Sequence, residues 1–378
     1  MKQSLEHLIE IRKKLHRNPE LSGNEKDTSK LIKSLMITYR PDRIIEGLGG
    51  FGLAVVFNGK QAGPSVMFRC ELDALPILEN SKIPHQSDNH GVAHKCGHDG
   101  HMTIMIGLAE AIFHDPPEKG RVILLFQPAE ENGEGALAVI RDNKFRDIEP
   151  EYIFALHNLP GYPEKTMLLR EGTFAAASKG MINQLFGKTS HAGEPEKGLS
   201  PALALAGIIS ALNVIPQHNT FEDYTLATII HANLGEKAFG TTPGYAEIMA
   251  TLRTFSNNDM ELLSHIAVKL VHKHANAHGL KADISWTEEF PATQNDSELV
   301  KLVEQISRRN HFQHLFLKEP FRWSEDFSNF TTRYSGVLIG LGAGDHCAPL
   351  HHPDYDFPDA IIPEGITLLE DIYRYFLK

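Results

Sequence analysis

The spacing of apolar residues in the first half of the chain alternates between a helical period and short continuous runs. Helices are predicted where Leu and Ile recur every three or four positions: 3–16, 27–38, 101–114 and 134–141. Strands are predicted where apolar runs are bounded by Gly, Pro or polar residues: 51–57, 65–70, 121–127 and 151–157. Strands that alternate with helices indicate a largely parallel sheet covered on both faces.

Residues 179–290 follow a different order. Their pattern predicts, in sequence, a strand, a helix, two strands, a helix and a strand: 180–187, 200–214, 224–232, 245–254, 258–278 and 281–287. This β-α-β-β-α-β order is the split unit of a ferredoxin-like domain. The first pattern then resumes, with a helix at 296–309, a strand at 336–341 and a helix at 362–377. We therefore predict an α/β domain (1–178 and 291–378) with a central mixed, mostly parallel sheet flanked by helices, interrupted by an inserted α+β ferredoxin-like domain (179–290).

Length and composition narrow the class of protein. A chain of 378 residues is long enough for two domains. The net charge of −11 and the lack of a dense Lys/Arg run argue against a nucleic-acid partner. Apolar runs are too short to span a bilayer, so no membrane partner is expected. Three cysteines and a charged, amphipathic N-terminus without a signal sequence predict a cytoplasmic protein.

Side chains that can bind metals are concentrated in four short segments after strands or in loops: 94–101 (HKCGHDGH), 127–133 (QPAEENG), 155–158 (ALHN) and 350–354 (LHHPD). Each segment alone has an ordinary explanation, such as a polar capping loop, a solvated acidic turn or a hydrogen-bonded structural histidine. Together they fall at one predicted edge of the sheet, where open α/β sheets bind ligands. Cys, His and carboxylate ligands suit Zn²⁺, Mn²⁺, Co²⁺ or Ni²⁺ and do not choose among them.

Nine segments, in order along nearly the whole chain, resemble the amidohydrolase branch of the aminoacylase and glutamate-carboxypeptidase metallopeptidases. That branch includes hippurate hydrolase, N-acetyldiaminopimelate deacetylase and the plant auxin-conjugate hydrolases. The matching segments are LHRNPELSGNE (15–25), FRCELDALPI (68–77), HKCGHDGHM (94–102), QPAEENGEGA (127–136), ALHNLPGYP (155–163), GKTSHAGEP (187–195), ATLRTF (250–255), SEDF (324–327) and LHHPDYDF (350–357).

The resemblance implies a role for each matching residue. Two divalent metal ions are implied, with Cys96 as the bridge, and the implied ligands are Cys96, His98, Glu131, His157 and His351. Glu130 matches the general base, and Asp73 matches an acidic residue that orients a ligating imidazole. His191 matches a residue that stabilises the oxyanion, often in the active site of a partner subunit, and Arg253 matches a residue that binds the substrate carboxylate.

The sequence departs from the family pattern at three positions. Glu71 stands where the family usually has Asp, and Gly240 stands where an Asn that contacts the substrate carboxylate is common. Trp323 adds a bulky side chain to the segment FRWSEDF. These differences leave the acyl group and the amino acid of the substrate open.

The resemblance implies a metal-dependent amidohydrolase that cleaves N-acetyl or aromatic N-acyl amino acids or related conjugates, with water activated by Glu130. A divalent cation would polarise the amide carbonyl and lower the pKa of water. A dipeptidase or carboxypeptidase with the same metal centre is the alternative, and a non-catalytic, metal-retaining binding protein is a weaker one. The expected partners are a small N-acyl amino acid substrate and a second copy of the chain, joined through the inserted lid or dimerisation domain.

Overall fold

The computed structural model describes residues 4–217 and 221–378. The chain divides into two units. The first contains the described residues up to Phe174 together with Thr293–Glu319 and Asp326–Lys378, and the second contains Ala175–Ala292 and Pro320–Glu325. Within the described residues, no helix combines the length and apolar character needed to cross a membrane.

The helices and strands are numbered in chain order. Before the second unit they are α1 (Leu5–Arg17), α2 (Lys26–Ile37), β1 (Arg43–Leu48), β2 (Gly52–Asn58), β3 (Gln61–Glu71), α3 (His98–His114), β4 (Lys119–Gln127), α4 (Gly135–Arg141), β5 (Tyr152–Leu159), β6 (Met167–Leu169) and β7 (Gly172–Ala175). The second unit contains β8 (Ala177–Phe186), β9 (Ser190–His191), α5 (Ala202–Val214), β10 (Thr225–Leu234), β11 (Thr241–Thr242), β12 (Tyr245–Thr254), α6 (Asn257–Ala277) and β13 (Lys281–Phe290). The chain ends with β14 (Thr293–Asn295), α7 (Ser297–Arg309), β15 (His314–Phe316), α8 (Ser328–Thr331), β16 (Ser335–Gly342) and α9 (Ile362–Leu377).

A mixed sheet forms the centre of the first unit, in the order β1-β2-β4-β3-β5-β16-β6-β15. Its middle strands β4, β3, β5 and β16 are parallel, and so are β6 and β15 at one edge. The pairs β1–β2, β2–β4 and β16–β6 are antiparallel. β5 and β16 are buried at every residue but the first, and β4 and β3 are buried over their last six residues, as expected for strands covered on both faces. Apolar side chains of α1, α3, α7 and α9 share one core with this sheet. The predicted α/β fold class with a mixed, mostly parallel sheet is confirmed.

The parallel strands determine where the candidate site lies. Because β4, β3 and β5 run in the same direction, their carboxyl ends meet at one edge of the sheet. β3 ends at Glu71, two residues before Asp73, and β4 ends at Gln127, shortly before Glu130. His157 lies near the carboxyl end of β5.

In the second unit, the elements follow the predicted β-α-β-β-α-β order, β8-α5-β10-β12-α6-β13. The sheet order is β10-β12-β8-β13, and all its neighbours are antiparallel. Residues along β12 alternate between buried and half-buried, because only one face of this sheet packs against α5 and α6. β9 pairs with β11 in a separate two-stranded ribbon, which the sequence pattern did not predict.

Candidate metal centre

The loop before α3 makes a sharp turn at Gly97, which brings Cys96 and His98 to the carboxyl edge of the sheet. Gly97 has φ 94°, a left-handed conformation that favours glycine. A Cβ at this position would also lie 2.3 Å from the Asn158 side-chain oxygen. Both the backbone conformation and the close approach therefore require glycine between the two candidate ligands.

Five predicted ligands form two overlapping groups that share Cys96. The ligand atoms of Cys96, His98 and His157 all lie within 4.8 Å of one another, and so do those of Cys96, Glu131 and His351. His157 Nε2 lies 3.5 Å from Cys96 Sγ, and His351 Nε2 lies 3.6 Å from Glu131 Oε2. Two donors bound tetrahedrally to one Zn²⁺ at 2.0–2.3 Å lie about 3.5 Å apart, so the donor set fits a divalent ion.

Both buried imidazoles turn the same ring nitrogen toward this group. His98 Nδ1 donates to the Asp73 carbonyl oxygen at 2.9 Å, and His157 Nδ1 donates to the Asn158 carbonyl oxygen at 2.8 Å. These bonds fix the tautomer that leaves Nε2 as a possible ligand atom. Within the described part of the chain, His98 Nε2 is buried and has no hydrogen-bond partner. A buried polar atom in this state is uncommon and is consistent with a bound ion.

The imidazole rings of His98 and His157 have different charged groups around them. Burial, together with the nearby His101, lowers the pKa of His157 to about 3, so this ring is neutral, which is the form that binds metals. Burial alone would also lower the pKa of His98, but Asp73, Glu71 and Glu131 outweigh that effect and raise its pKa to about 10. The surroundings of His98 therefore favour a positive charge, and a divalent cation would supply one.

The turn after β4 separates the two predicted glutamates. The turn is fixed where the Ala129 N–H donates to Glu25 Oε1 at 2.8 Å and where the Glu131 N–H donates to Asp73 Oδ2 at 2.9 Å. Glu131 Oε1 lies 3.8 Å from His98 Nε2, in the ligand group. Glu130 is buried, its Oε1 accepts the Asp326 N–H at 3.4 Å, and its Oε2 lies 4.0 Å from His98 Nε2.

Sequence reasoning missed a buried ionic cluster below this edge. Arg69, near the carboxyl end of β3, binds Glu71 and Asp326 and donates to Gln127 Oε1 at 2.8 Å. Glu71 Oε2 in turn accepts from His101 Nδ1 at 2.7 Å. Because the Asn158 N–H donates to His101 Nε2 at 3.1 Å, both nitrogens of the His101 ring are occupied by protein groups. The signal for this cluster was an arginine directly after the apolar run 66–68 of β3.

The other two predicted site residues belong to the second unit. Arg253, on β12, donates from Nη1 to the Arg322 carbonyl oxygen at 2.9 Å and to Ser324 Oγ at 3.0 Å. His191, on β9, is exposed, and its Nδ1 accepts the Gly193 N–H at 3.0 Å. The Ala192 N–H donates to the Gly240 carbonyl oxygen at 3.0 Å.

The remaining departure from the family pattern, Trp323, also lies in the second unit. Its ring stacks on Phe321 with the two centroids 4.8 Å apart. Trp323 is half-buried.

Comparisons with known proteins identify the family of the chain. The family described as "Peptidase family M20/M25/M40" matches residues 67–375. The IAA-amino acid hydrolase ILR1-like 2 of Arabidopsis thaliana is 31% identical over 385 residues, which cover 98% of this chain and 85% of that protein. The N-acetyl-L-cysteine deacetylase of Bacillus subtilis is 30% identical over 374 residues, covering 97% and 88%. The Bacillus subtilis YXEP protein, described as a dinuclear metal binding peptidase from the M20 family, superposes with a TM-score of 0.84 at 25% identity, covering 99% and 98%.

Proposed function

The chain belongs to the peptidase family M20/M25/M40, which confirms the resemblance read from its sequence, and on this premise we propose that it is a metal-dependent amidohydrolase of N-acyl amino acids or related conjugates. The observation that carries the proposal is the pair of overlapping ligand groups that share Cys96, with the buried carboxylate of Glu130 beside them. Amide hydrolysis is slow because an amide carbonyl is a poor electrophile and neutral water is a poor nucleophile. Divalent ions held by these groups would help with both.

The five side chains of these groups would hold two divalent ions: Cys96, His98, Glu131, His157 and His351. Bound ions would polarise the amide carbonyl and lower the pKa of the attacking water. Cys96 would bind as a thiolate shared by both positions. Mn²⁺, Zn²⁺, Co²⁺ and Ni²⁺ all accept this donor set, and reconstitution decides among them.

Glu130 would transfer the proton in this reaction. It is buried beside the ligand groups, and the Asp326 N–H holds one of its oxygens. We assign it to accept the proton of the attacking water and to deliver that proton to the leaving amine. A positioned acid–base group of this kind contributes about 10²–10⁴-fold to the rate.

Two residues of the second unit would act on the substrate. The guanidinium of Arg253 would bind a substrate carboxylate, for which its planar donors are suited. His191 accepts a backbone N–H at Nδ1, so the proton of its neutral ring is on Nε2. An imidazole with this tautomer can donate a hydrogen bond to a developing oxyanion, as proposed for His191.

The proposed substrate class follows the named relatives. Those names include an IAA-amino acid hydrolase and an N-acetyl-L-cysteine deacetylase, and both name an amino acid that carries an acyl group. We therefore infer a small N-acyl amino acid as the substrate, with the acyl group and the amino acid to be determined by assay.

The second unit is also the proposed lid and dimerisation domain. Its strand β10 lies at one edge of the four-stranded sheet. Apolar side chains at Leu226, Ile230 and Leu234 of this strand are exposed. An exposed apolar edge strand is a surface on which a second copy of the chain can pair.

Glu130→Gln tests the acid–base assignment. The amide keeps the shape of the carboxylate but cannot accept the proton, so amine release should fall by about 10²–10⁴-fold while two ions per chain remain bound. Elemental analysis and an amine-release assay measure the two effects. Glu134→Gln, an exposed change four residues away, is the matched control. Unchanged turnover would refute the assignment, and loss of metal together with activity would make Glu130 a ligand instead.

A further inference from the structure

Lys95 carries a charge into the interior directly beside the candidate metal loop. Lys95 directly precedes Cys96 in the sequence, and its side chain is fully buried. Lysine is almost never buried unless it is paired. The Lys95 ammonium is paired: it donates to Glu79 Oε1 at 2.5 Å and to the Tyr355 carbonyl oxygen at 2.6 Å, and it lies 3.3 Å from Ser81 Oγ.

Both ends of the segment that carries His351 are attached to this one lysine. The Lys95 carbonyl oxygen accepts the His351 N–H at 2.7 Å, and the Lys95 ammonium binds the Tyr355 carbonyl four residues later. His351 has φ 65°, a left-handed conformation. In a residue other than glycine this conformation is strained and persists only where neighbouring contacts impose it. The two Lys95 contacts, to the His351 N–H and to the Tyr355 carbonyl oxygen, are placed to impose this conformation.

Glu79 gives the ammonium a fixed partner. Its Oε1 also lies 3.1 Å from His16 Nε2, and its Oε2 accepts the Ser87 N–H at 2.7 Å. Burial alone would raise the pKa of Glu79, but the bonds from His16, Lys95 and Ser81 outweigh it and hold that pKa well below its usual range. Glu79 is thus an ionised anchor that holds the end of the Lys95 side chain.

We propose that Lys95 is a positioning residue that holds His351 at the right distance from Cys96, and so determines how tightly the position formed by Cys96, Glu131 and His351 binds its ion. The inference rests on the proposed two-ion centre. The other position depends on different supports, since His98 and His157 are oriented by the carbonyl oxygens of Asp73 and Asn158. Loss of Lys95 should therefore affect one position and spare the other.

Lys95→Met tests this selectivity, because methionine fills a similar volume without the ammonium. Mutation of a residue that orients a metal ligand typically weakens metal affinity by about 10–100-fold. Competition of Zn²⁺ and Co²⁺ with a chelator should show one ion bound as in the unchanged protein and the other weakened by that factor. His351→Ala should weaken the same position. Lys301→Met, which removes an exposed lysine paired with Glu298, should change neither.

In Lys95→Met, the buried Glu79 carboxylate loses the ammonium with which it is paired, and this loss could unfold the protein. A second variant therefore separates misfolding from the positioning role. Lys95→Met/Glu79→Gln removes both charges together, and circular dichroism and thermal melting verify its fold. Two ions bound with unchanged affinities, or two positions weakened equally, would overturn the positioning role. If the unchanged protein itself fails to bind two ions, the proposed function fails first, and that result is distinct from either outcome for Lys95.

Discussion

Asp73→Asn should weaken metal binding without unfolding the protein. The carboxylate of Asp73 is fully buried. Its Oδ2 accepts from Ser22 Oγ at 2.7 Å and from the Glu131 N–H at 2.9 Å, and its Oδ1 lies 3.5 Å from the ring nitrogen His98 Nδ1. Burial alone would raise the pKa of Asp73, but the nearby His98 ring, the Glu131 N–H and the Ser22 hydroxyl outweigh it and lower that pKa, so the group is ionised.

An asparagine can satisfy only part of this arrangement. With its oxygen at the Oδ2 position, its NH₂ group stands 3.5 Å from His98 Nδ1, whose N–H is already bonded to the Asp73 carbonyl oxygen. The His98 ring then loses a neighbouring negative charge and gains a neighbouring donor in its place. With the amide reversed, the Ser22 hydroxyl and the Glu131 N–H lose their acceptor. In both cases a candidate ligand is less well oriented, and such changes cost about 10–100-fold in metal affinity. That factor corresponds to about 1.4–2.7 kcal/mol of binding free energy.

The assay is equilibrium dialysis against a series of chelator-buffered Zn²⁺ or Mn²⁺ concentrations, followed by elemental analysis of the protein. Ser22→Ala retains the negative charge of Asp73, its bond from the Glu131 N–H and its contact with His98, so the metal affinity of this variant should change by much less than that of Asp73→Asn. Asp283→Asn, at an exposed position paired with Lys281, is the surface control. Equal affinity for Asp73→Asn and the unchanged protein, with both folded, would refute the claim that this carboxylate orients the ligands.

Two further predictions concern the substrate and the pH dependence of stability. Arg253→Ala should raise KM for substrates with a free carboxylate far more than for their methyl esters, and equal effects in steady-state kinetics would rule out a carboxylate contact. Burial alone would lower the pKa of His16, but its bonds to Asp99 and Glu79 raise that pKa to about 9 from 6.5. The protonated ring therefore contributes about 3 kcal/mol of stability, fully present below pH 6.5 and lost as the pH rises through 9. Urea unfolding of the metal-free protein should show a large difference from His16→Gln at pH 6 and a small one at pH 10, and a constant difference would contradict this.

The longer elements could be predicted because burial leaves a clear local pattern. β4 contains a run of five apolar residues directly before Gln127, and α3 is mostly apolar from residue 102 to residue 113. Other strands leave no such pattern. β15 (His314–Phe316) is three residues long and largely exposed, and β3 begins at Gln61, although its apolar run begins only at residue 65. These residues are strands because a neighbouring strand pairs with them, and a local sequence pattern does not contain that information.

The candidate site shows the same division. The predicted ligands are conspicuous residue types at strand ends or in glycine-containing loops, and the structure brings their ligand atoms together. Arg69 was missed because its partner Asp326 lies 257 positions away in sequence. The contacts of Lys95 were missed for the same reason, since Tyr355 is 260 positions later. Supporting contacts depend on the folded chain, whereas ligand types can be recognised in the sequence.

The most direct test of the account measures amine release by protein stripped of metal and then resupplied separately with Mn²⁺, Zn²⁺, Co²⁺ or Ni²⁺. The substrates are N-acetyl amino acids, N-benzoyl amino acids and dipeptides. The account predicts that hydrolysis of N-acyl amino acids is absent without metal and returns with at least one of the ions. Cleavage of dipeptides alone would make the protein a peptidase, and no hydrolysis of any substrate with two ions demonstrably bound would contradict the proposed function.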